Sequence, residues 1–118
     1  VLHMARFGKD LDGVVSFHGN LGTETPAKPG AIKADILVLH GADDPFVPNE
    51  QVEAFKKEME AAGANYVFIE YPGAMHAFTN PQATATGKKF DLPLAYDAEA
   101  DEESWAELQR FLKALFGA

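Results

Sequence analysis

The chain contains no cysteine. That excludes disulfide scaffolds, thiolate-ligated metals and a cysteine nucleophile within these 118 residues. Serine is almost as scarce. Only Ser16 and Ser104 are present, and neither stands in a Gly-x-Ser-x-Gly turn. Positive charge is short as well: ten Lys and Arg face eighteen Asp and Glu, a formal net charge of −8. Nucleic acid and anionic membrane surfaces attract basic patches, so neither is an expected partner. No apolar run approaches the ~18 residues that span a bilayer. The first eleven residues, interrupted by His3, Arg6, Lys9 and Asp10, do not read as a signal peptide. The lack of an initiator Met suggests a processed, trimmed or partial chain. The lack of thiols fits a cytoplasmic one.

What is present reads as one α/β domain over residues 1–118. A hydrophobic share of 47% is ordinary for a globular protein and enough for a core. Val1 to Phe7 reads as the end of a helix stopped by Gly8. Three strands follow, at residues 13–18, 35–40 and 66–71. The middle one, Asp35-Ile36-Leu37-Val38-Leu39-His40, is the unbroken apolar run of a parallel strand covered on both faces. Between the last two strands, Val52, Phe55, Met59 and Ala62 recur at helical spacing and define a buried stripe, closed by Gly63. Residues 77 to 100 read as irregular. A last helix is expected from Asp101 to about Phe116, with Trp105, Leu108, Phe111, Leu112, Leu115 and Phe116 as its core face. This order predicts about three parallel strands flanked by helices, with a right-handed crossover.

In such sheets ligands bind beyond the carboxyl ends of the strands. His18, the Gly41–Pro48 turn and the Gly73–Phe78 turn all fall there. Asp44 and His76 lie 32 residues apart, one helix plus one strand, which puts two adjacent strand ends side by side. An acid and a histidine so placed suit hydrolysis. The histidine moves the proton, and the acid fixes its tautomer and stabilises the imidazolium. Asp43 is a rival acid. His18 is either a hydrogen-bonded wall of the site or a group facing substrate. His40 reads as structural and His3 as solvent-facing. Phe46 and Phe78, which flank the pair, are expected with His18 to touch substrate. A metal site of His18, His40 and His76 lacks any tight ligand spacing, so neither metal nor organic cofactor is expected.

Three segments carry a family resemblance. They are Val14-Val15-Ser16-Phe17-His18-Gly19, Leu37 through Pro48 (Leu-Val-Leu-His-Gly-Ala-Asp-Asp-Pro-Phe-Val-Pro), and Tyr71 through Pro81 (Tyr-Pro-Gly-Ala-Met-His-Ala-Phe-Thr-Asn-Pro). Together with the stretch from Tyr96 to Trp105, they resemble the C-terminal half of the dienelactone hydrolase family of α/β-hydrolases. The resemblance implies Asp44 and His76 as triad acid and base. It implies a small ester or lactone as substrate and acyl transfer as the reaction. It also implies a Cys or Ser nucleophile a few residues before Val1, with oxyanion-hole donors lying upstream. Ser16, in mid-strand, is a poor substitute. The alternative is a non-catalytic oligomeric module that keeps the fold without the chemistry. In either case residues 13–18 form an apolar sheet edge, and a homo-oligomer paired through that edge is expected.

Overall fold

The computed structural model describes residues 1–117. Three parallel strands form one sheet in the order β1 (Gly13–Phe17), β2 (Asp35–Gly41), β3 (Tyr66–Tyr71). Val14 pairs with Ile36, and Leu37 with Val67. The central strand is buried from Ile36 to Gly41, as its unbroken apolar run requires. On one face, Val14, Ile36 and Val38 pack against α1 (Leu2–Arg6) and α2 (Asn49–Ala62). The stripe Val52, Phe55, Met59 and Ala62 supplies the helix side of that layer. Burying a phenylalanine such as Phe55, 2% exposed, stabilises by roughly 1.5–3 kcal/mol. On the other face, Leu37, Leu39 and Tyr71 meet Ala74, Phe78 and Ala100.

Two expectations are corrected. Residues 77 to 100 contain a helix, α3 (Ala83–Phe90), and the last helix, α4 (Ala98–Phe116), begins three residues earlier than read. Asp97 sets that start: its carboxylate accepts from the Ala100 N–H at 3.0 Å. The sequence of α3, Ala-Thr-Ala-Thr-Gly-Lys-Lys-Phe, has poor helical propensity. Packing overrides it. A Cβ on Gly87 would lie 2.6 Å from the Leu94 carbonyl and 2.8 Å from that of Leu92, so only glycine lets the 92–94 segment close over the helix.

Trp105 is not core. It is 57% exposed, as are Leu112 at 40% and Phe116 at 62%. The buried residues of α4 are Ala100 and Ser104, with Phe111 half-buried against the sheet. The apolar arc on α4 is wider than this three-stranded sheet can cover. Where helix and sheet do meet they are close, because a Cβ on Gly13 would lie 2.7 Å from Leu115. None of the described helices is long and apolar enough to cross a membrane.

Candidate active site

The carboxyl ends of all three strands feed one site. β1 ends at Phe17 because His18 turns to φ +40° while its N–H still donates to the Leu39 carbonyl. After β2, the chain turns back on itself through an Asp44 N–H to Gly41 carbonyl bond. The turn after β3 is stitched to it: the Asp43 N–H donates to the Ala74 carbonyl at 3.0 Å. Gly41 permits this contact. A Cβ there would sit 2.6 Å from the Ala74 oxygen and 2.8 Å from that of Met75, which no side chain tolerates without moving the His76 turn.

The stitched turns bring Asp44 and His76 together. Asp44 Oδ2 lies 2.8 Å from His76 Nδ1. A carboxylate only accepts, so Nδ1 carries a proton and donates; in the neutral ring this leaves the lone pair on Nε2. The Asp44 side chain is fully buried and that of His76 is 31% exposed. Its other oxygen, Oδ1, accepts from the Phe46 N–H at 2.9 Å. The acid is thus locked at both oxygens while the base reaches solvent. Asp43, the rival acid, is exposed.

Around the pair, Phe46 stands edge-on to His76 with ring centroids 5.0 Å apart and is 46% exposed, so it borders the opening. His18 lies 5.6 Å from His76, ring to ring, and its Nε2 bonds the Thr79 hydroxyl at 2.9 Å. Burial, then the neighbouring His76, pushes its imidazole below the ordinary 6.5. It is a neutral, hydrogen-bonded wall. Phe78, expected at the substrate, is fully buried; it packs edge-on beneath His18 and against Tyr71, supporting the site from behind. Sequence reading also missed Thr79 and Gly41, which act through tertiary contacts that leave no local pattern. His3 is exposed on α1. His40 is buried on the α2 side of the sheet against Phe68. Among the described residues no three His, Asp or Glu are placed to hold a metal ion.

His40 makes the fold acid-sensitive. Its Nδ1 is buried without a hydrogen-bond partner. Burial pushes its pKa below 6.5, against the smaller upward pulls of Asp44 and Glu70; Lys56 adds to the lowering. The unfolded chain takes up a proton below about 6.5 while the folded one resists. The contribution of His40 to stability is therefore fully present above that pH and is lost as pH drops below it. His18 acts in the same direction. Urea denaturation at about pH 7.5 and about pH 5.5 should show the loss, and His40→Leu should make it smaller. An unchanged pH slope in His40→Leu would exclude His40 as a cause.

A model described as "Dienelactone hydrolase family" matches residues 1–116. The chain belongs to the dienelactone hydrolase family. A Caenorhabditis elegans protein, K02A2.1, is 37% identical over 98% of this chain, which spans 72% of that protein. An Escherichia coli K12 protein named "Putative carboxymethylenebutenolidase" is 29% identical over 96% of the chain, which spans 41% of it. Among solved structures, a dienelactone hydrolase-like promiscuous phosphotriesterase, P91, from metagenomic libraries superposes with a TM-score of 0.87 at 36% identity. That match covers 97% of this chain and 46% of P91. The chain thus carries a fragment of the dienelactone hydrolase form of the α/β-hydrolase fold, less than half the length of the last two relatives. Its three-stranded parallel sheet and flanking helices are that fold's elements.

Proposed function

We propose that this chain supplies the acid and the base of a hydrolase that opens lactones or small carboxylic esters through an acyl-enzyme. His76 takes the proton from the nucleophile and returns it to the leaving alkoxide, and Asp44 holds its tautomer and stabilises the imidazolium. The observation that carries this reading is the 2.8 Å bond from a partly exposed His76 to a fully buried Asp44. His18 and Phe46 flank the substrate. The two serines are unsuited to attack. Ser16 is 7% exposed in mid-strand, and Ser104 is fully buried on α4 with its hydroxyl on the Asp101 carbonyl. The reading therefore places the nucleophile outside these 118 residues, a few positions before Val1 as the family resemblance implies.

The test is a chimera in which residues 1–116 replace the matching segment of a dienelactone hydrolase-like relative such as P91. It should hydrolyse p-nitrophenyl acetate and lose that activity on His76→Ala, while the 118-residue chain alone stays at the buffer rate. A folded but inactive chimera refutes the reading.

The non-catalytic alternative rests on a different observation. Among the described residues the outer edge of β1 has no neighbouring strand, and Met4 on α1, Phe7 just after it and Leu112 on α4 are exposed. An open edge of this kind pairs with other strands. As part of the same proposal, the isolated chain forms a homo-oligomer through residues 13–18, and its location is cytoplasmic. A stable monomer in light scattering would remove the oligomer.

A further inference from the structure

The chain between His76 and Asp97 closes on itself, and His76 sits at the closure. Beyond His76 the backbone runs through Ala77 and Phe78 into α3, turns at Asp91 and comes back alongside its own start. There Leu94 forms a parallel bridge with His76. The Ala95 N–H donates a long bond, 3.4 Å, to the His76 carbonyl, and the Asp97 N–H donates to the Phe78 carbonyl at 3.0 Å. Those two bonds fall on either side of Ala77. The Ala77 carbonyl itself accepts from the Asn80 N–H at 2.9 Å.

Ala77 requires that bracket. Its φ is +62°, a left-handed conformation in which a Cβ crowds the following carbonyl oxygen. An alanine left unheld relaxes toward negative φ. A residue with a Cβ persists in such a state only where its surroundings over-determine it, and residues of this kind cluster at functional sites. Here the conformation matters on both sides. It lets the His76 ring meet Asp44 at 2.8 Å while Phe78, fully buried, turns the other way into the core. With Phe78 anchored, relaxation of Ala77 moves His76 off the carboxylate.

What holds the returning segment is α3. Its buried residues, Ala83 and Gly87, lie four positions apart and so share one face. The Leu92 N–H donates to the Gly87 carbonyl at 2.9 Å, and the Tyr96 N–H to the Thr84 hydroxyl at 3.0 Å. The space above Gly87 is filled by the Leu92 and Leu94 carbonyl oxygens. Those are backbone atoms, and they cannot yield without moving the bridge from Leu94 to His76.

We propose that α3 and the segment 92–97 are a buttress for the acid–histidine pair, with Thr84 and Gly87 as positioning residues that act on His76 through the left-handed Ala77. The catalytic meaning of the buttress rests on the hydrolytic reading of Asp44 and His76. The hydrogen bond between them, which the experiment reads, does not, so the two ideas fail separately.

Nitrogen-15 NMR of His76 in the 118-residue chain gives the ratio of its Nδ1–H to Nε2–H tautomers, and urea denaturation checks the fold in parallel. Gly87→Ala should keep a cooperative urea transition and lower that ratio roughly tenfold, the weight of one hydrogen bond to a charged group. Adding Ala77→Gly should restore the ratio, because glycine takes the left-handed conformation unaided. General damage by Gly87→Ala is not repaired in this way. A folded Gly87→Ala with the parent's ratio overturns the proposal, and so does a lowered ratio that Ala77→Gly fails to restore. If Gly87→Ala loses its urea transition, Thr84→Val decides. It removes only the acceptor of the Tyr96 N–H, at an exposed helix position. Its ratio should fall roughly threefold, the size of a neutral hydrogen bond, and an unchanged ratio overturns the proposal.

Discussion

Arg6→Ala should destabilise the fold by about 3–5 kcal/mol, read as a drop in the urea midpoint at unchanged slope. Arg6 is 4% exposed, although it is a charged residue on a short helix. Its Nε and Nη2 donate to the Glu58 carboxylate at 2.9–3.1 Å, and Nη2 also donates to the Leu21 carbonyl at 2.7 Å. Glu58 in turn accepts from the Ala27 N–H at 2.8 Å. The guanidinium rests 5.8 Å from the centre of the Phe55 ring. One ion pair thus ties α1, α2 and the segment between β1 and β2 together. Removing the arginine leaves a buried carboxylate with one donor and the Leu21 carbonyl without its partner. Total stability of a domain is only about 5–15 kcal/mol, so such a loss is a large share of it. Replacing both partners, Arg6→Met with Glu58→Leu, should cost much less than Arg6→Ala, because no charge is then stranded. A single-variant loss below about 1 kcal/mol would show the pair to be hydrated in solution.

That clamp was illegible in the sequence, and its invisibility is instructive. Arg6 and Glu58 are 52 residues apart, and each alone reads as a solvated charge. What could be read was whatever repeats locally. The apolar run of β2 and the four-residue stripe of α2 each state their own burial, because one chain segment sees the same environment along its length. The acid–histidine geometry was also legible, since strand ends fix where the two turns meet. Phe78 departs from its expected place at the substrate because two positions past His76 the surroundings already differ. The positive φ of Ala77, +62°, turns the chain between them and sends the ring into the core. Trp105 was misplaced because periodicity gives the width of an apolar face but not the width of the surface that covers it. Helix α3 was missed because its helical state is imposed by the segment packed on Gly87 rather than by its own residues.

Asp44→Asn should reverse the tautomer of His76 without displacing either side chain. In a complete hydrolase built on these residues it should lower kcat by about 10⁴-fold. The direction of the asparagine amide is fixed by a contact that survives the substitution. Oδ1 accepts from the Phe46 N–H at 2.9 Å, so the amide oxygen must stay there. The NH₂ group then occupies the place of Oδ2, 2.8 Å from His76 Nδ1. Two donors cannot face each other, so Nδ1 becomes the acceptor and the proton moves to Nε2. The nitrogen that serves as proton acceptor in the proposed mechanism is then already protonated. Nitrogen-15 NMR of His76 in the 118-residue chain reads this directly, with no nucleophile required. The parent should show a protonated Nδ1 and a bare Nε2, and Asp44→Asn the reverse. Asp43→Asn should match the parent, because Asp43 lies exposed, outside the hydrogen bond to His76. If Asp44→Asn left Nε2 unprotonated, the carboxylate would not be what sets the tautomer. The proposed division of labour between Asp44 and His76 would then fail at its first step.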